Sequence, residues 1–220
     1  MNPTRLQISD ATGAHGWRLI LAAIHSQVAV TSLTEAAELA TLCAAACAHA
    51  PGHLTVDLRA DRVLLRLQSE TDGVVTDRDL ELAGRLAGAL QDAGRTLEPA
   101  TDLHVFEIAI DALDIPAVRP FWKAVTGYLD ARSTTDLNGG LIDPAGRGPA
   151  IWFQQMDSPR PQRNRIHIDV DVAHDAAAAR IEAALAAGGV MLSDHAAPAF
   201  WVLADAEGNE ACVCTWQARD

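Results

Sequence analysis

An internal repeat in the second half constrains this chain more than any other feature. Glu107-Ile-Ala-Ile-Asp-Ala-Leu-Asp114 alternates as a strand and runs into a helix start. Sixty residues later, His167-Ile-Asp-Val-Asp-Val-Ala-His174 reads the same way. A helix follows each strand: Pro116 to Val125, stopped at Gly127, and Asp175 to Ala187, stopped at Gly188-Gly189. Short strands come next, near 129–134, 139–142 and 150–155 in the first block and 190–193, 199–204 and 210–216 in the second. Each block is therefore βαβββ. A unit of that shape cannot close its own curved sheet, so the two are expected to pair and enclose a cavity.

The first half has a different pattern. Trp17 to Val30 is apolar and ends in β-branched residues, as a strand would. Ser32 and Thr34 offer N-caps for an Ala/Leu-rich helix from Glu35 to about Ala50, stopped by Pro51-Gly52. Leu54–Leu58 and Arg62–Gln68 alternate as strands around a turn at Ala60-Asp61. Thr76 caps a second helix, about Asp77 to Ala93, ended by Gly94. The order β-α-β-β-α predicts an α+β sandwich with two helices on one face of a small antiparallel sheet. Polar residues around Pro99 read as a linker, exposed to proteases between Arg95 and Asp102, with domains at 1–98 and 102–220.

Composition narrows the function classes. The 220 residues suffice for two domains of about 100 each. A net charge of −12, with Lys123 the only lysine, argues against nucleic acid and anionic membranes as partners. No apolar run reaches the roughly 18–20 residues that span a bilayer, and the first ten residues lack a signal-peptide core. A cytoplasmic location is expected. Cys43 and Cys47 fall four apart on a helix, and Cys212 and Cys214 two apart on a strand. Neither spacing favours an internal disulfide, and neither is a zinc knuckle, so buried thiols are expected.

Three stretches of the second half resemble the vicinal oxygen chelate superfamily, which includes glyoxalase I, extradiol dioxygenases and antibiotic-resistance proteins. They are Phe121-Trp122-Lys-Ala-Val-Thr-Gly127, Arg163-Asn-Arg-Ile-His-Ile-Asp-Val170 and Asp205-Ala-Glu-Gly-Asn-Glu-Ala-Cys-Val213. The resemblance implies a glyoxalase-like fold of paired βαβββ modules over 102–217. It also implies metal-ligand positions on the first and last strand of each module. By that correspondence Glu107 and His167 occupy the first-strand positions, and either Trp152 or Gln154 the last strand of module one. Cys212 stands where glutamate is usual in module two, with Glu210 on the same face nearer the turn. Glu107, His167, Gln154 and Cys212 could hold a divalent ion, with the thiolate favouring zinc. Alternatively, these are polar groups lining a ligand cavity. Trp122, Trp152, Phe153 and Trp201 fit a cavity wall or core, and His104 a surface or domain interface.

The first half resembles pterin-4a-carbinolamine dehydratase through His49-Ala-Pro51, Val63-Leu-Leu-Arg-Leu67 and Gly73 to Ala83, with Thr76 and Asp79 in place. The family's chemistry rests on two adjacent histidines and a third after a strand, which shuttle protons as a hydroxyl leaves. Here His49 is kept, the second position is Ala50 and the third is Glu70. The resemblance implies a degenerate site, since each acid or base is worth about 10²–10⁴ in rate. It also implies edge-to-edge pairing of sheets, hence a homodimer. His53 lies close by and reads as an exposed loop histidine.

Together these features point to an enzyme acting on a small-molecule ligand in the second half, a lyase, isomerase or oxygenase with Glu107 or His167 as base or ligand. A non-catalytic binding or sequestering protein and an atypical 4a-hydroxytetrahydrobiopterin dehydratase are the alternatives.

Overall fold

The computed structural model describes residues 2–103, 105–132, 139–159, 166–215 and 217–218. His104, Arg163-Asn164-Arg165 of the second motif, the far end of the strand expected at 129–134, and Trp216 lie outside them. The chain divides into two compact units, Met1–Val105 and Phe106–Asp220. Among the described residues, no helix is long and apolar enough to cross a membrane.

The first unit opens with α1 (Arg5–Gly13), a helix the sequence reading passed over. Its signal is local. Gln7 N donates to Thr4 Oγ1 at 3.3 Å, and Thr4 N to Gln7 Oε1 at 2.8 Å, a reciprocal cap that fixes the first turn. The apolar stretch expected as one strand is a hairpin of β1 (Arg18–Ile20) and β2 (Ala23–Ala29). It turns at Leu21, whose φ of 55° is unusual for a branched residue, and no Gly, Asn or Pro marks the turn.

Next come α2 (Leu33–Cys47), β3 (Leu54–Leu58), β4 (Arg62–Leu67) and α3 (Asp77–Asp92). The Ser32 side chain accepts from Glu35 N to start α2. All four strands pair antiparallel in the order β1-β2-β4-β3. Val63, Leu65 and Leu67 alternate inward with Ile24 and Val28, and α2 and α3 close this face with Leu39, Leu82, Leu86 and Leu90. Past α3, Gln27 and Glu98 exchange backbone hydrogen bonds of 2.9 and 2.8 Å, and Arg62 pairs with Asp102 at 2.8 Å. The segment around Pro99 is thus attached to the first sheet.

The second unit has the repeat topology read from the sequence. Module one is β5 (Glu107–Ala112), α4 (Ile115–Thr126), β6 (Leu129–Asp130), β7 (Leu141–Ile142) and β8 (Ala150–Gln155). Module two is β9 (Ile168–Asp171), α5 (Ala177–Ala186), β10 (Val190–Ser193), β11 (Phe200–Ala204) and β12 (Glu210–Cys214). The sheets run β6-β7-β8-β5 and β10-β11-β12-β9, each with first and last strands parallel. Inward residues of both sheets pack on the two helices around Phe121, Trp122, Phe153 and Leu203.

The modules meet through those helices. Gly189 makes the close approach possible, because a Cβ there would lie 2.5 Å from Phe121 Cδ2 and 2.8 Å from the Ala184 carbonyl oxygen. The third motif is the second fastening. Asp205 accepts from Glu207 N and Asn209 N, both at 2.9 Å, to shape the turn into β12. Its other oxygen takes the Trp122 indole N–H at 2.9 Å. Glu207 in turn accepts from Leu113 N at 3.0 Å and Asp114 N at 2.6 Å, at the start of α4. The two βαβββ modules thus pair within one unit, as the repeat predicts, and Glu107, Ala109, Gln154, His167, Asp169 and Asp171 are exposed on their sheets.

Candidate functional site

On the open face of module two, strand periodicity puts His167 and Asp169 on one side of β9. The parallel pairing of β9 with β12 sets Asp169 opposite Cys212. His167 Nε2 lies 3.3 Å from Asp169 Oδ1. The donor atoms of His167, Asp169 and Cys212 all fall within 4.8 Å of one another. Cys212 is 6% exposed, whereas both partners have side chains more than half exposed. Burial, reinforced by the Asp169 charge and hydrogen bond, pushes the Cys212 thiol up to about 12. Without a cation it is a thiol, with Asp169 holding its hydrogen.

Register fixes the equivalence between modules. Ala109 faces Trp152 and Asp111 faces Gln154 in module one; Asp169 faces Cys212 and Asp171 faces Cys214 in module two. Trp152, not Gln154, is therefore the counterpart of Cys212. The expected set of Glu107, His167, Gln154 and Cys212 is not brought together. Glu107 begins β5, opposite Ala150, and is outside the cluster on β9 and β12. Gln154 lines a separate cleft of 570 Å³ with Asp111, Met156, Asp157 and Ser158.

Sequence reasoning missed Asp169, although the i,i+2 spacing from His167 was its available signal. Trp122 is 2% exposed, and its indole N–H donates to Asp205. Trp152 is half-buried on the open face of module one. Glu210 shares the face of Cys212 at the start of β12.

In the first unit His49 is exposed just past α2. Loss of water, then the Arg85 and Arg78 charges, hold its imidazole below its ordinary value. Ala50 is buried and Glu70 exposed. His53, read as a loop histidine, instead places Nδ1 2.8 Å from Asp79 Oδ1.

Comparison with known proteins matches both halves. The family model of the glyoxalase-like domain covers residues 107–214. That of pterin 4 alpha carbinolamine dehydratase covers residues 2–89. No curated protein matches. Among solved structures, a glyoxalase/bleomycin resistance protein/dioxygenase family enzyme from Burkholderia phytofirmans PsJN is 20% identical, over 50% of this chain and 95% of that one, at a TM-score of 0.42. A transcriptional coactivator/pterin dehydratase from Brucella melitensis is 18% identical over 40% and 98%, at 0.37. The fosfomycin resistance protein FosX from Listeria monocytogenes, complexed with Mn(II) and sulfate, is 14% identical over 50% and 88%, at 0.40.

Proposed function

With a glyoxalase-like domain at residues 107–214 and a pterin-dehydratase-like domain at residues 2–89, we propose that this chain is an enzyme acting on a small molecule at the open face of module two. One divalent cation would be held there by His167, Asp169 and Cys212. The convergence of three different donor types within 4.8 Å carries the reading. Nitrogen, carboxylate oxygen and sulfur suit zinc, whereas magnesium and calcium take oxygen. Zinc bonds of about 2.0–2.3 Å place ligands roughly 3.3–3.8 Å apart, so a small closure of the cluster completes the site.

Such a cation would polarise a ligand oxygen or acidify a bound water. The chain's own groups do the rest. Half-exposed His167 and Asp169 leave coordination positions open toward water. Glu210, on the same face as Cys212, takes a proton from the ligand. Glu107, Trp152 and Gln154 offer a second ligand-contact surface, on the open face of module one and apart from the cation. A lyase, isomerase or oxygenase reaction fits such a site, with lyase placed first. Sequestration without turnover is the second reading. It is favoured by Cys212 standing where a carboxylate would be usual.

The chain also pairs as a homodimer in this reading, supported by β3, which ends the sheet of the first unit as an open edge. Native mass spectrometry of the untreated full chain tests the site. The expected spectrum shows one divalent cation per chain, removed by a chelator. A metal-free chain that takes up no added zinc contradicts the proposal.

A further inference from the structure

We infer that the second unit carries a further ligand site, a groove between α5 and β11 that takes a small organic ammonium cation with an aromatic or alkyl body. It is independent of the divalent-cation site proposed above. The groove has a volume of about 630 Å³, inside the range of roughly 300–1,000 Å³ usual for small-ligand sites.

It lies on the helix side of the second sheet. Trp201 and Leu203 alternate toward the helices on β11, as Ala211 and Val213 do on β12. Cys212, between Ala211 and Val213, belongs to the opposite face, with His167 and Asp169. One sheet therefore separates the two sites. Exposure of Trp201 marks the groove. Leu203 on the same strand and Val213 across from Trp201 are both 0% exposed, whereas Trp201 is only half-buried. Facing the indole, α5 offers Ile181 and Leu185 as an apolar wall, and only methyl groups at Ala177 and Ala178. A ligand with an apolar body removes this surface from water.

Charge selects the ligand. Glu182 is the one carboxylate among the lining residues, and among the described residues its side chain makes no hydrogen bond or ion pair. Arg180, two positions earlier, is committed elsewhere. Its guanidinium sits against Gly127 and donates to the Val125 carbonyl of α4 at 3.3 Å. His174 closes the groove ahead of α5, and Ala186 lines it at the C-terminal end, where the helix dipole adds partial negative charge. An anion would be repelled here, and a neutral apolar molecule would gain the wall alone. An ammonium cation gains both, because an indole face attracts a cation and the carboxylate balances its charge. The body packs on Trp201, Ile181 and Leu185, and the nitrogen is directed to Glu182.

The test is equilibrium dialysis of the full chain against 2-naphthylmethyl-trimethylammonium, with 2-naphthylmethanol as the neutral counterpart and a metal chelator present throughout. The ammonium should bind at one per chain and about tenfold tighter than the alcohol, the scale of a cation–aromatic contact shielded from water. Glu182→Gln, at an exposed position, should erase most of that preference. Trp201→Leu keeps an apolar wall and should lower affinity for the ammonium by a similar factor. Ala178→Phe fills the groove from an exposed helix position without disturbing the core, and binding of both probes should be lost. No binding of the ammonium, equal affinity for the two probes, or unchanged binding in Ala178→Phe overturns the inference. So does a chain whose self-association is abolished by Ala178→Phe, because a second copy would then occupy the groove.

Discussion

Asp169 and Cys212 face each other across β9 and β12 at the place where Ala109 and Trp152 face each other in module one. One repeat position therefore carries carboxylate and thiol in one module, methyl and indole in the other. Among the described residues, the three-donor set therefore lies in module two.

Metal binding should follow that asymmetry. His167→Ala, Asp169→Asn and Cys212→Ser should each weaken zinc affinity by at least about tenfold, because each removes a donor atom. Glu107→Ala should leave it unchanged. Competition with a chromogenic chelator measures all four. A large loss in Glu107→Ala alone would return the site to a set shared between modules.

The Asp205 clamp should matter more than the indole it holds. Asp205→Ala orphans the buried Trp122 N–H, a loss of about 1–3 kcal/mol, and also frees Glu207 N and Asn209 N. Trp122→Phe leaves Asp205 bonded to the turn and should cost less. Urea unfolding of the second unit gives the order, and equal losses would argue against the clamp.

Acid should destabilise the first unit through His25. Burial, then the Arg66 charge, lowers its pKa from 6.5 to about 4. The folded group binds its proton less readily than the unfolded one, so its contribution is present above pH 6.5 and is lost as pH falls toward 4. The span is up to about 3 kcal/mol. His25→Gln should flatten the stability slope between pH 6.5 and 4.5. An unchanged slope would place the effect elsewhere.

Limited proteolysis should cut at 103–106, past the Arg62–Asp102 pair, and leave two fragments that stay folded by circular dichroism. Cleavage at 95–102 would mean that the Gln27–Glu98 pairing is not held in solution.

Much of this was legible in the sequence. Alternation at Glu107–Ala112 and around His167, and glycine stops at Gly127 and Gly188, carry the βαβββ repeat through local rules alone. The α1 helix was legible too, in Thr4 and Gln7, but it has little apolar periodicity to draw the eye. The hairpin at Leu21 was not, because a branched residue in the left-handed region is held by its surroundings. The site was half legible. His167 and Cys212 follow from strand position, and the i,i+2 spacing puts Asp169 on the face of His167, but its place opposite Cys212 needs the β9–β12 register. His53 needed the tertiary contact with Asp79.

Cobalt(II) titration of the full chain tests the central claim most directly, because a cobalt–thiolate bond gives a near-ultraviolet charge-transfer band. The account predicts a band that saturates at one equivalent and disappears in both Cys212→Ser and His167→Ala. No band in the wild-type chain, or one that survives both substitutions, would contradict it.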